Sequence, residues 1–329
     1  MNTLGIKLLK NIKKFMKKSD ILTIILNWNN TQDTLACLNS LQESTLSIDI
    51  LVIDNNSRAE EVKKLQQLAQ KFPQVKFVYN NSNLGFVGGN NQGMAVALKE
   101  NYPYVLLLNN DTVVDKNCLA LMRADLEQNQ QAGIAGPKIF YYAEPDKIWH
   151  TAGVLNHWLA KGNGLRWQTA TTPMTAGIDF ITGCCFLART VMLKEIGLFD
   201  EQFFAYLEDV DLSQRAKEHG WKLLYEPRAH IWHKVSSASG GSAFNPIPLF
   251  LRTRNRILYQ KKHATFWQKI IFFFYHTAFV KILCWYGLFK FKPKISQAVL
   301  KGYLSGYLNP KIKLNKNFPN FTFLENDKQ

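Results

Sequence analysis

The amino-terminal third of the chain alternates between short apolar segments and longer amphipathic ones, and this alternation constrains the fold most. Apolar, β-branched runs predict strands at 21–26, 48–53, 75–79 and 105–108. The intervening segments predict helices at 31–46, 60–71 and 90–101. Strands that alternate with helices form a parallel sheet with helices on both faces. The sequence therefore predicts an α/β fold with a Rossmann-like, mostly parallel sheet.

Polar clusters follow three of these predicted strands. They occupy 27–29 (Asn-Trp-Asn), 54–57 (Asp-Asn-Asn-Ser) and 109–111 (Asn-Asn-Asp). One polar strand end is explained by a turn alone. Ligands of open α/β sheets, however, bind beyond the carboxyl ends of the strands, where successive strand ends converge. Three clusters together predict a ligand site at this edge.

The cluster at 109–111 carries the strongest candidate for a metal ligand. Mg²⁺ and Mn²⁺ take oxygen ligands, typically one or two carboxylates together with substrate phosphates. Asp111 could supply the carboxylate and Asn109 an orienting amide; an ordinary Asx turn is the alternative. His230 and His233 follow a predicted strand, and one of these imidazoles could complete the metal shell.

An acidic and aromatic segment at 199–215 contains the candidates for a general base. A helix is predicted over 210–219, with its start near Leu207, so Asp209 and Asp211 point in different directions. Asp209 is the candidate base, because a base must hold its carboxylate against a hydroxyl. The alternative is that these acids only favour the positive end of the helix dipole, with Asp211 paired to Arg215.

Residues 80–93 are rich in glycine and asparagine and are predicted to form a loop that approaches a ligand closely. No Walker loop, nucleophile elbow or kinase motif is present. The glycine fingerprint of nicotinamide-dependent enzymes is also missing after the first strand, where the chain reads NWNNTQ. Five cysteines without metal-ligand spacing predict buried free thiols in a reducing compartment.

Positive charge is concentrated at the two ends of the chain, whose formal net charge is +15. Residues 1–19 contain six lysines and residues 252–316 contain fourteen lysines or arginines, with no acid in either segment. Such asymmetry predicts a polyanionic partner, either nucleic acid or an anionic membrane. A nucleic-acid partner is disfavoured, because the candidate site is acidic and no recognition motif occurs.

Composition changes near Gly240, and three regions are predicted. They are a basic segment at 1–19, a catalytic domain at 20–240 and a helical region at 241–329. Within the last, residues 270–289 are long enough to span a bilayer. Five polar residues nevertheless share one half of the helical wheel, which favours a helix lying on an anionic membrane; they are Lys269, His276, Thr277, Lys281 and Lys290. A soluble packing helix or a homodimer interface is the remaining alternative.

The ordered motifs resemble those of family 2 glycosyltransferases with the GT-A fold, most closely the bacterial rhamnosyltransferase-like branch that builds surface polysaccharides. The resemblance covers roughly residues 20–258. It rests on VIDNNS, NSNLGFVGGNNQG, LLLNNDT, ITGCCFL, GLFDEQFFAYLEDVDLSQR and HIWHK followed by RTRN. Such a protein is expected to transfer a sugar from a nucleoside diphosphate with inversion and with bound Mg²⁺ or Mn²⁺.

The resemblance assigns roles position by position. Asp209 matches the catalytic base and Glu208 its neighbour. Asp111 matches the metal-binding acid, with Asn109 in place of the first acid of that element, and His233 matches a histidine that reaches the metal or phosphate. Gly183 and Asp211 fall on the sugar and acceptor side. The nucleotide side is assigned Trp28, Asn29, Asp54, Asn56, Asn83, Gly85, Asn90, Asn91, Asn109 and Asn110.

The resemblance also implies partners. The favoured donor is dTDP-rhamnose, with UDP-hexoses as the alternative, and the acceptor is a saccharide or a lipid-linked sugar. We expect the protein in the cytoplasm, peripheral on the inner face of the cell membrane. A catalytically silent scaffold of the same fold is the rival hypothesis; the presence of Asp54, Asp111 and Asp209 argues against it.

Overall fold

A computed structural model describes residues 19–235 and 245–308. The strands in these ranges are β1 Ile21–Asn27, β2 Asp49–Asp54, β3 Lys76–Tyr79, β4 Tyr104–Asn109, β5 Thr112–Val114, β6 Ala132–Tyr141, β7 Ile148–His150, β8 Val154–Asn156, β9 Lys161–Asn163, β10 Cys185–Arg189 and β11 Lys222–His233. The helices are α1 Thr31–Gln42, α2 Ala59–Lys71, α3 Gly85–Lys99, α4 Cys118–Gln128, α5 Thr190–Ile196, α6 Glu208–Glu218, α7 Pro246–His263, α8 Phe266–Phe289 and α9 Pro293–Leu308.

The main sheet has the strand order β3-β2-β1-β4-β10-β6-β11-β5, with β7 paired to β6. Strands β3, β2, β1 and β4 are mutually parallel, as predicted. Beyond β4 the sheet is mixed, because β10 runs antiparallel to both of its neighbours and β5 runs antiparallel to β11. Strands β8 and β9 form a separate hairpin. Helix α1 ends at Gln42, four residues earlier than predicted.

Both faces of the sheet are covered, which explains why the strands are uniformly apolar. Leu22 and Ile24 of β1 belong to a core cluster that includes residues of α3, α5 and α6. Ile21 and Ile25 point to the opposite face and pack with α1, α2 and α4. The five cysteines are free thiols, four of them buried, as the sequence predicts.

The glycine-rich segment at 80–93 is helical from Gly85 onward and forms a loop only at 80–84, so the predicted helix start at residue 90 is wrong. Helix α3 begins at Gly85. A Cβ added to Gly89 would lie 2.3 Å from Leu26, and one added to Gly93 would lie 2.7 Å from Ile24. These two glycines bring α3 close to β1, and this packing outweighs their low helix propensity.

Helices α7, α8 and α9 form the described part of the carboxyl-terminal region. Arg254 and Asn255 of α7 are fully buried. The predicted polar half of α8 is only partly correct: His276 is buried and Thr277 contacts the Tyr303 hydroxyl, so both face the protein. Residues 1–18, the predicted hinge near Gly240 and residues 309–329 lie outside the described ranges.

Helix α8 is long and apolar enough to cross a membrane, with a mean hydropathy of 1.4 over the qualifying window. Only 22% of the 18-residue apolar stretch that meets this criterion is buried inside the protein. Length and composition alone give weak evidence for a span, because core helices meet the same criteria. The positions of its exposed side chains are therefore a better guide to whether α8 contacts a membrane.

Candidate active site

The three predicted polar clusters converge at one edge of the sheet. In the strand register Asn27 lies opposite Asp54, and Asn109 lies opposite Leu26. The carboxyl ends of β1, β2 and β4 therefore lie at the same level. This arrangement follows from parallel pairing, and it assembles the side chains that the sequence assigned to the nucleotide.

Asn27, which the sequence placed in a polar cluster without an individual role, is the centre of this edge. Its side chain is fully buried. The Nδ2 atom donates to Asp54 Oδ1 at 2.8 Å, and Oδ1 accepts from the Thr34 hydroxyl at 2.8 Å. A buried amide must have its hydrogen bonds satisfied. An asparagine that ends an otherwise apolar strand was the signal that could have identified it.

Asp54 is 1% exposed and is oriented by the protein itself. Its carboxylate accepts from Asn27, from the Ser57 hydroxyl at 2.6 Å and from the Ser57 amide at 3.0 Å. Asn110 serves the same framework, since its Nδ2 donates to the Asn30 carbonyl and to the Thr34 hydroxyl. Asn110 thus fastens the end of β4 to the start of α1.

Trp28, Asn29 and Asn56 form the outer rim of this edge. Trp28 is 36% exposed. Asn29 and Asn56 have left-handed backbones, with φ of 54° and 64°, which asparagine tolerates better than most residues. The Asn29 carbonyl oxygen Oδ1 accepts from the Arg58 amide at 2.7 Å, so the two strand exits are tied together.

A second group of amides joins β2 to the start of α3. The Asn55 side chain is buried and donates to Asn83 Oδ1 at 2.9 Å and to the Gly85 carbonyl at 3.0 Å. Asn83 Oδ1 also accepts from the Gly85 amide. Gly85 has φ of +72° and is packed against the Phe204 ring, so a side chain is excluded there. Asn83 and Gly85 therefore shape the loop that enters α3.

Asn90 and Asn91 have structural partners. Asn90 is buried and donates to the Phe86 carbonyl of its own helix. Asn91 makes two bonds with the Phe199 backbone, donating to its carbonyl and accepting from its amide. Because both polar ends of Asn91 are used, its role in the structure is to hold the segment that precedes α6 against α3.

Asp111 and His233 meet although they are 122 residues apart. The distance from His233 Nε2 to Asp111 Oδ1 is 3.1 Å, and both side chains are nearly buried. The His233 ring packs edge-on against Trp149. His230 is separate, since its Nε2 is directed to the Pro227 carbonyl. Of the two histidines, the structure brings only His233 to Asp111.

The geometry of this pair fits a divalent cation. Two ligand atoms held about 2.1 Å from an octahedral ion lie about 3 Å apart, close to the observed separation. His233 Nδ1 has no hydrogen-bond partner within the described ranges, so it can carry the proton when Nε2 is needed as a ligand. Within residues 19–235 and 245–308, no group of three or more histidine, cysteine, aspartate or glutamate side chains could hold a metal ion. An ion bound by Asp111 and His233 would therefore take further ligands from phosphate and water.

Asp209 is the second residue of α6 and faces Gly183. Its Oδ2 accepts from the Gly183 amide at 2.8 Å, and its Oδ1 accepts from the Val210 amide. Burial raises the pKa of Asp209 above the usual range for an aspartate, although these backbone bonds oppose the rise. A raised pKa strengthens a carboxylate as a proton acceptor.

The neighbouring acids have different environments. Glu208 is buried, and burial together with the Asp209 charge raises its pKa well above the usual range. Asp211, expected on the acceptor side, is instead fully buried against Arg215, Lys262 and His263. Although burial opposes the effect, these partners lower its pKa to about 2. Asp211 therefore fastens α6 to α7 and does not line the cleft.

Solved structures with the same architecture are GT-A glycosyltransferases. The mannosyltransferase PcManGT from Pyrobaculum calidifontis, solved with GDP-Man and Mn²⁺, matches over 92% of each chain with a TM-score of 0.53 and 11% identity. GalNAc-T7, solved with UDP, GalNAc and Mn²⁺, matches over 73% of this chain and 48% of its own with a TM-score of 0.57 and 16% identity. The fold is therefore GT-A, as the sequence predicted.

Sequence comparison defines the family. The family model described as glycosyl transferase family 2 matches residues 23–197, more than half of the chain. The chain belongs to glycosyltransferase family 2 and is a glycosyltransferase. It is 25% identical over 217 residues to an N-acetylglucosaminyl-diphospho-decaprenol L-rhamnosyltransferase of Mycobacterium tuberculosis, which covers 59% of this chain and 68% of that protein.

Other relatives of the chain are named for a different activity. A poly-beta-1,6-N-acetyl-D-glucosamine synthase of Staphylococcus epidermidis is 26% identical over 64% of this chain. The matched region is 48% of that protein, so the chain spans about half its length. The relatives therefore agree on the family and differ in the sugar that they transfer.

The pairing of Asp111 with His233 leads to a prediction about metal-dependent binding. If the pair holds Mn²⁺, Asp111→Ala should lower nucleotide affinity measured with Mn²⁺ by more than about 10-fold and leave affinity in EDTA unchanged, because the carboxylate would be the anionic ligand of the pair. The measurement is titration calorimetry with a nucleoside diphosphate, with Mn²⁺ or with EDTA. His230→Ala, on the same strand but directed elsewhere, is the matched control. Equal binding by Asp111→Ala and wild type in both buffers would contradict the assignment.

Proposed function

We propose that the protein is a metal-dependent, inverting glycosyltransferase with Asp209 as its general base. The observation that supports this most is the environment of Asp209: a half-buried carboxylate, whose pKa is raised by burial, fixed by two backbone amides beside the glycine at 183. A base in this state needs no partner side chain to hold it in place. The Asn109 amide donates to the Cys184 carbonyl at 2.9 Å, so Gly183 and Asp209 lie next to the strand end that precedes Asp111.

The reaction is a single displacement. Asp209 accepts the proton of the acceptor hydroxyl while the hydroxyl oxygen bonds to the anomeric carbon and the bond to the diphosphate breaks. Attack from the face opposite the leaving group inverts the anomeric configuration. Glu208, whose pKa is raised further, is expected to remain neutral and to leave the negative charge on Asp209.

Asp111 and His233 would hold Mg²⁺ or Mn²⁺, which supplies positive charge to the departing diphosphate. Asn109 is uncharged, so Asp111 is the one anionic side chain of this element. The exposed Trp28 and the rim residues Asn29 and Asn56 are the proposed contacts for the base of the nucleotide. Asp54 is the proposed acceptor of a pyrimidine N–H, oriented by Ser57 and Asn27.

The proposed donor is dTDP-rhamnose, and the proposed acceptor is a saccharide or a lipid-linked sugar of cell-surface polysaccharide synthesis. The mycobacterial rhamnosyltransferase supports this choice. UDP-hexoses are the second candidate, since the staphylococcal relatives are named for polymers of N-acetylglucosamine. The intact acids at positions 54, 111 and 209 favour an active enzyme over a silent scaffold.

Helix α8 is the proposed contact with an anionic membrane on the cytoplasmic face of the cell. Its exposed stripe repeats every three or four residues and is apolar: Trp267, Ile271, Phe274, Ala278, Ile282, Trp285 and Phe289. Trp267 is 67% exposed and Trp285 is 76% exposed. An aromatic stripe flanked by lysines and free of acids favours an anionic lipid surface.

The assignment of Asp209 predicts a selective loss of the chemical step. We expect Asp209→Asn to lower kcat by about 10²- to 10⁴-fold, because the amide cannot accept the proton. Donor affinity, measured by calorimetry, should stay within a few-fold of wild type. As the pH is lowered, the wild-type rate should begin to fall at a higher pH than it would if the base were an ordinary aspartate, since the pKa of Asp209 is raised. Full activity in the variant excludes Asp209 as the base.

The donor proposal predicts selective stabilisation. With Mn²⁺ present, dTDP-rhamnose at a hundredfold excess over its Kd should stabilise the protein by about 2.7 kcal/mol. A thermal-shift series with dTDP, dTDP-rhamnose, UDP-glucose and UDP-N-acetylglucosamine measures this. Stabilisation by the UDP-sugars alone would reject rhamnose and leave the transferase assignment intact.

The membrane proposal predicts that the aromatic stripe determines binding to vesicles. Replacing Trp267, Phe274 and Trp285 with serine should abolish flotation of the full chain with phosphatidylglycerol vesicles. Trp158→Ser is the matched control, because Trp158 is an exposed tryptophan outside α8. Unchanged flotation of the triple variant contradicts the proposal. If the wild type does not bind vesicles and the triple variant loses a dimer that the wild type forms in gel filtration, the stripe contacts a second copy of the chain instead.

A further inference from the structure

The segment that leads into α6 has a costly backbone conformation. Phe204, Tyr206 and Leu207 have φ of 59°, 72° and 67°, in the left-handed region that non-glycine residues avoid. This conformation is unfavourable for any residue with a Cβ, because the Cβ crowds the following carbonyl oxygen. Three such residues within four positions persist only where surrounding contacts fix the chain, and such conformations cluster at functional sites. Leu207 is the N-cap of α6, and Asp209 follows it by two residues.

Asn255 of α7 supplies those contacts. Its side chain is fully buried, and its Nδ2 lies 2.8–2.9 Å from three carbonyl oxygens. These oxygens belong to Phe203, Ala205 and Tyr206, so the amide bonds to carbonyls directly before and within the strained segment. Two N–H groups serve three acceptors, and one of the bonds is therefore shared.

Arg254 fixes the orientation of that amide. Its Nη1 donates to Asn255 Oδ1 at 2.8 Å and to the Gln202 carbonyl at 2.7 Å. Because a guanidinium can only donate, the atom of Asn255 that it contacts must be the oxygen. The NH₂ group is then the part that faces the segment at 203–206.

The segment at 203–207 also contacts the start of α3, which carries residues proposed for the nucleotide side. The Val87 amide donates to the Phe204 carbonyl at 2.9 Å, and the Phe204 ring packs where a side chain on Gly85 would lie. The segment thus lies between the start of α3 and the start of α6. A shift of its backbone changes the position of Asp209 relative to Gly183 and to the residues that enter α3.

We propose that Asn255 is a positioning residue for the reaction, which holds the segment at 203–207 so that Asp209 meets the acceptor hydroxyl. This rests on the proposed role of Asp209 as the base. A misplacement of about 1 Å remote from the reacting atoms can lower a rate about 10²-fold. Asn255 acts through the backbone and touches neither the nucleotide side nor the Asp111–His233 pair.

Gln260 provides a matched comparison on the same helix. It is 2% exposed, and its amide donates to the His157 carbonyl at 2.6 Å, on the turn between β8 and β9. Asn255→Ala and Gln260→Ala each remove a buried amide that donates to backbone carbonyls. A purely structural role for Asn255 predicts similar effects of the two substitutions on activity.

The experiment compares Asn255→Ala, Asn255→Gln and Gln260→Ala in the full chain. We expect Asn255→Ala to lower kcat by about 10- to 100-fold with donor Kd unchanged. Gln260→Ala should keep wild-type kcat, and Asn255→Gln, which retains the amide, should recover part of the loss. The kinetic readout is the rate at which dTDP is released from dTDP-rhamnose in the presence of Mn²⁺, with water as the acceptor. Hydrogen exchange of the amides at 203–211, which needs no substrate, should accelerate in Asn255→Ala alone.

The outcomes separate this inference from the proposed function. Equal kcat and equal exchange in Asn255→Ala and Gln260→Ala overturn the positioning role. A rise in donor Kd with unchanged kcat also overturns it. If Asn255→Ala does not fold, Asn255→Leu, which has a similar volume and also lacks the N–H donors, takes its place: wild-type kcat and exchange in it overturn the role, and a selective kcat loss with faster exchange supports it. Full activity of Asp209→Asn rejects the base assignment; unaltered exchange at 203–211 in Asn255→Ala then rejects the positioning of the segment separately.

Discussion

The buried amide of Asn27 connects the strand ends on which the rest of the site depends. It donates to the carboxylate that ends β2, accepts from α1 through Thr34, and lies within 3.5 Å of the Asn110 amide that follows β4. An unsatisfied amide in this position would cost about 1–3 kcal/mol. The polar groups at the edge therefore satisfy one another first, and what remains for a ligand is the outer rim, the remaining acceptor capacity of the Asp54 carboxylate and the pair of Asp111 and His233.

Three carboxylates within four residues illustrate how burial and neighbouring charge assign different states to one segment. Asp211 lies among three basic side chains and is held as an anion. Glu208 has no such partner, and its neighbour is another acid, so its pKa rises. Asp209 lies between these extremes because its bonds come from backbone amides. Such separation of environments is how a protein distinguishes a proton acceptor from a structural acid.

The sequence predicted the parts of the molecule that depend on local pattern. The apolar strands, the parallel pairing and the convergence of 27–29, 54–57 and 109–111 all follow from periodicity and from the geometry of parallel sheets. The start of α3 was missed because glycine propensity favours a loop, whereas close packing on β1 decides the outcome. The burial of Asp211 could not be predicted, since two of its partners lie some fifty residues later, on α7.

Helix α7 connects two surfaces that are distant in sequence. Asn255 contacts the segment before Asp209, and Thr253, two residues earlier, accepts a hydrogen bond from His276 Nε2 of α8. A carbonyl can only accept, so Nε2 carries the proton. Arg256 lies over the Phe279 ring, which adds a second contact between α7 and α8. The helix with the aromatic stripe is thus packed directly on the helix whose Asn255 holds the segment before Asp209.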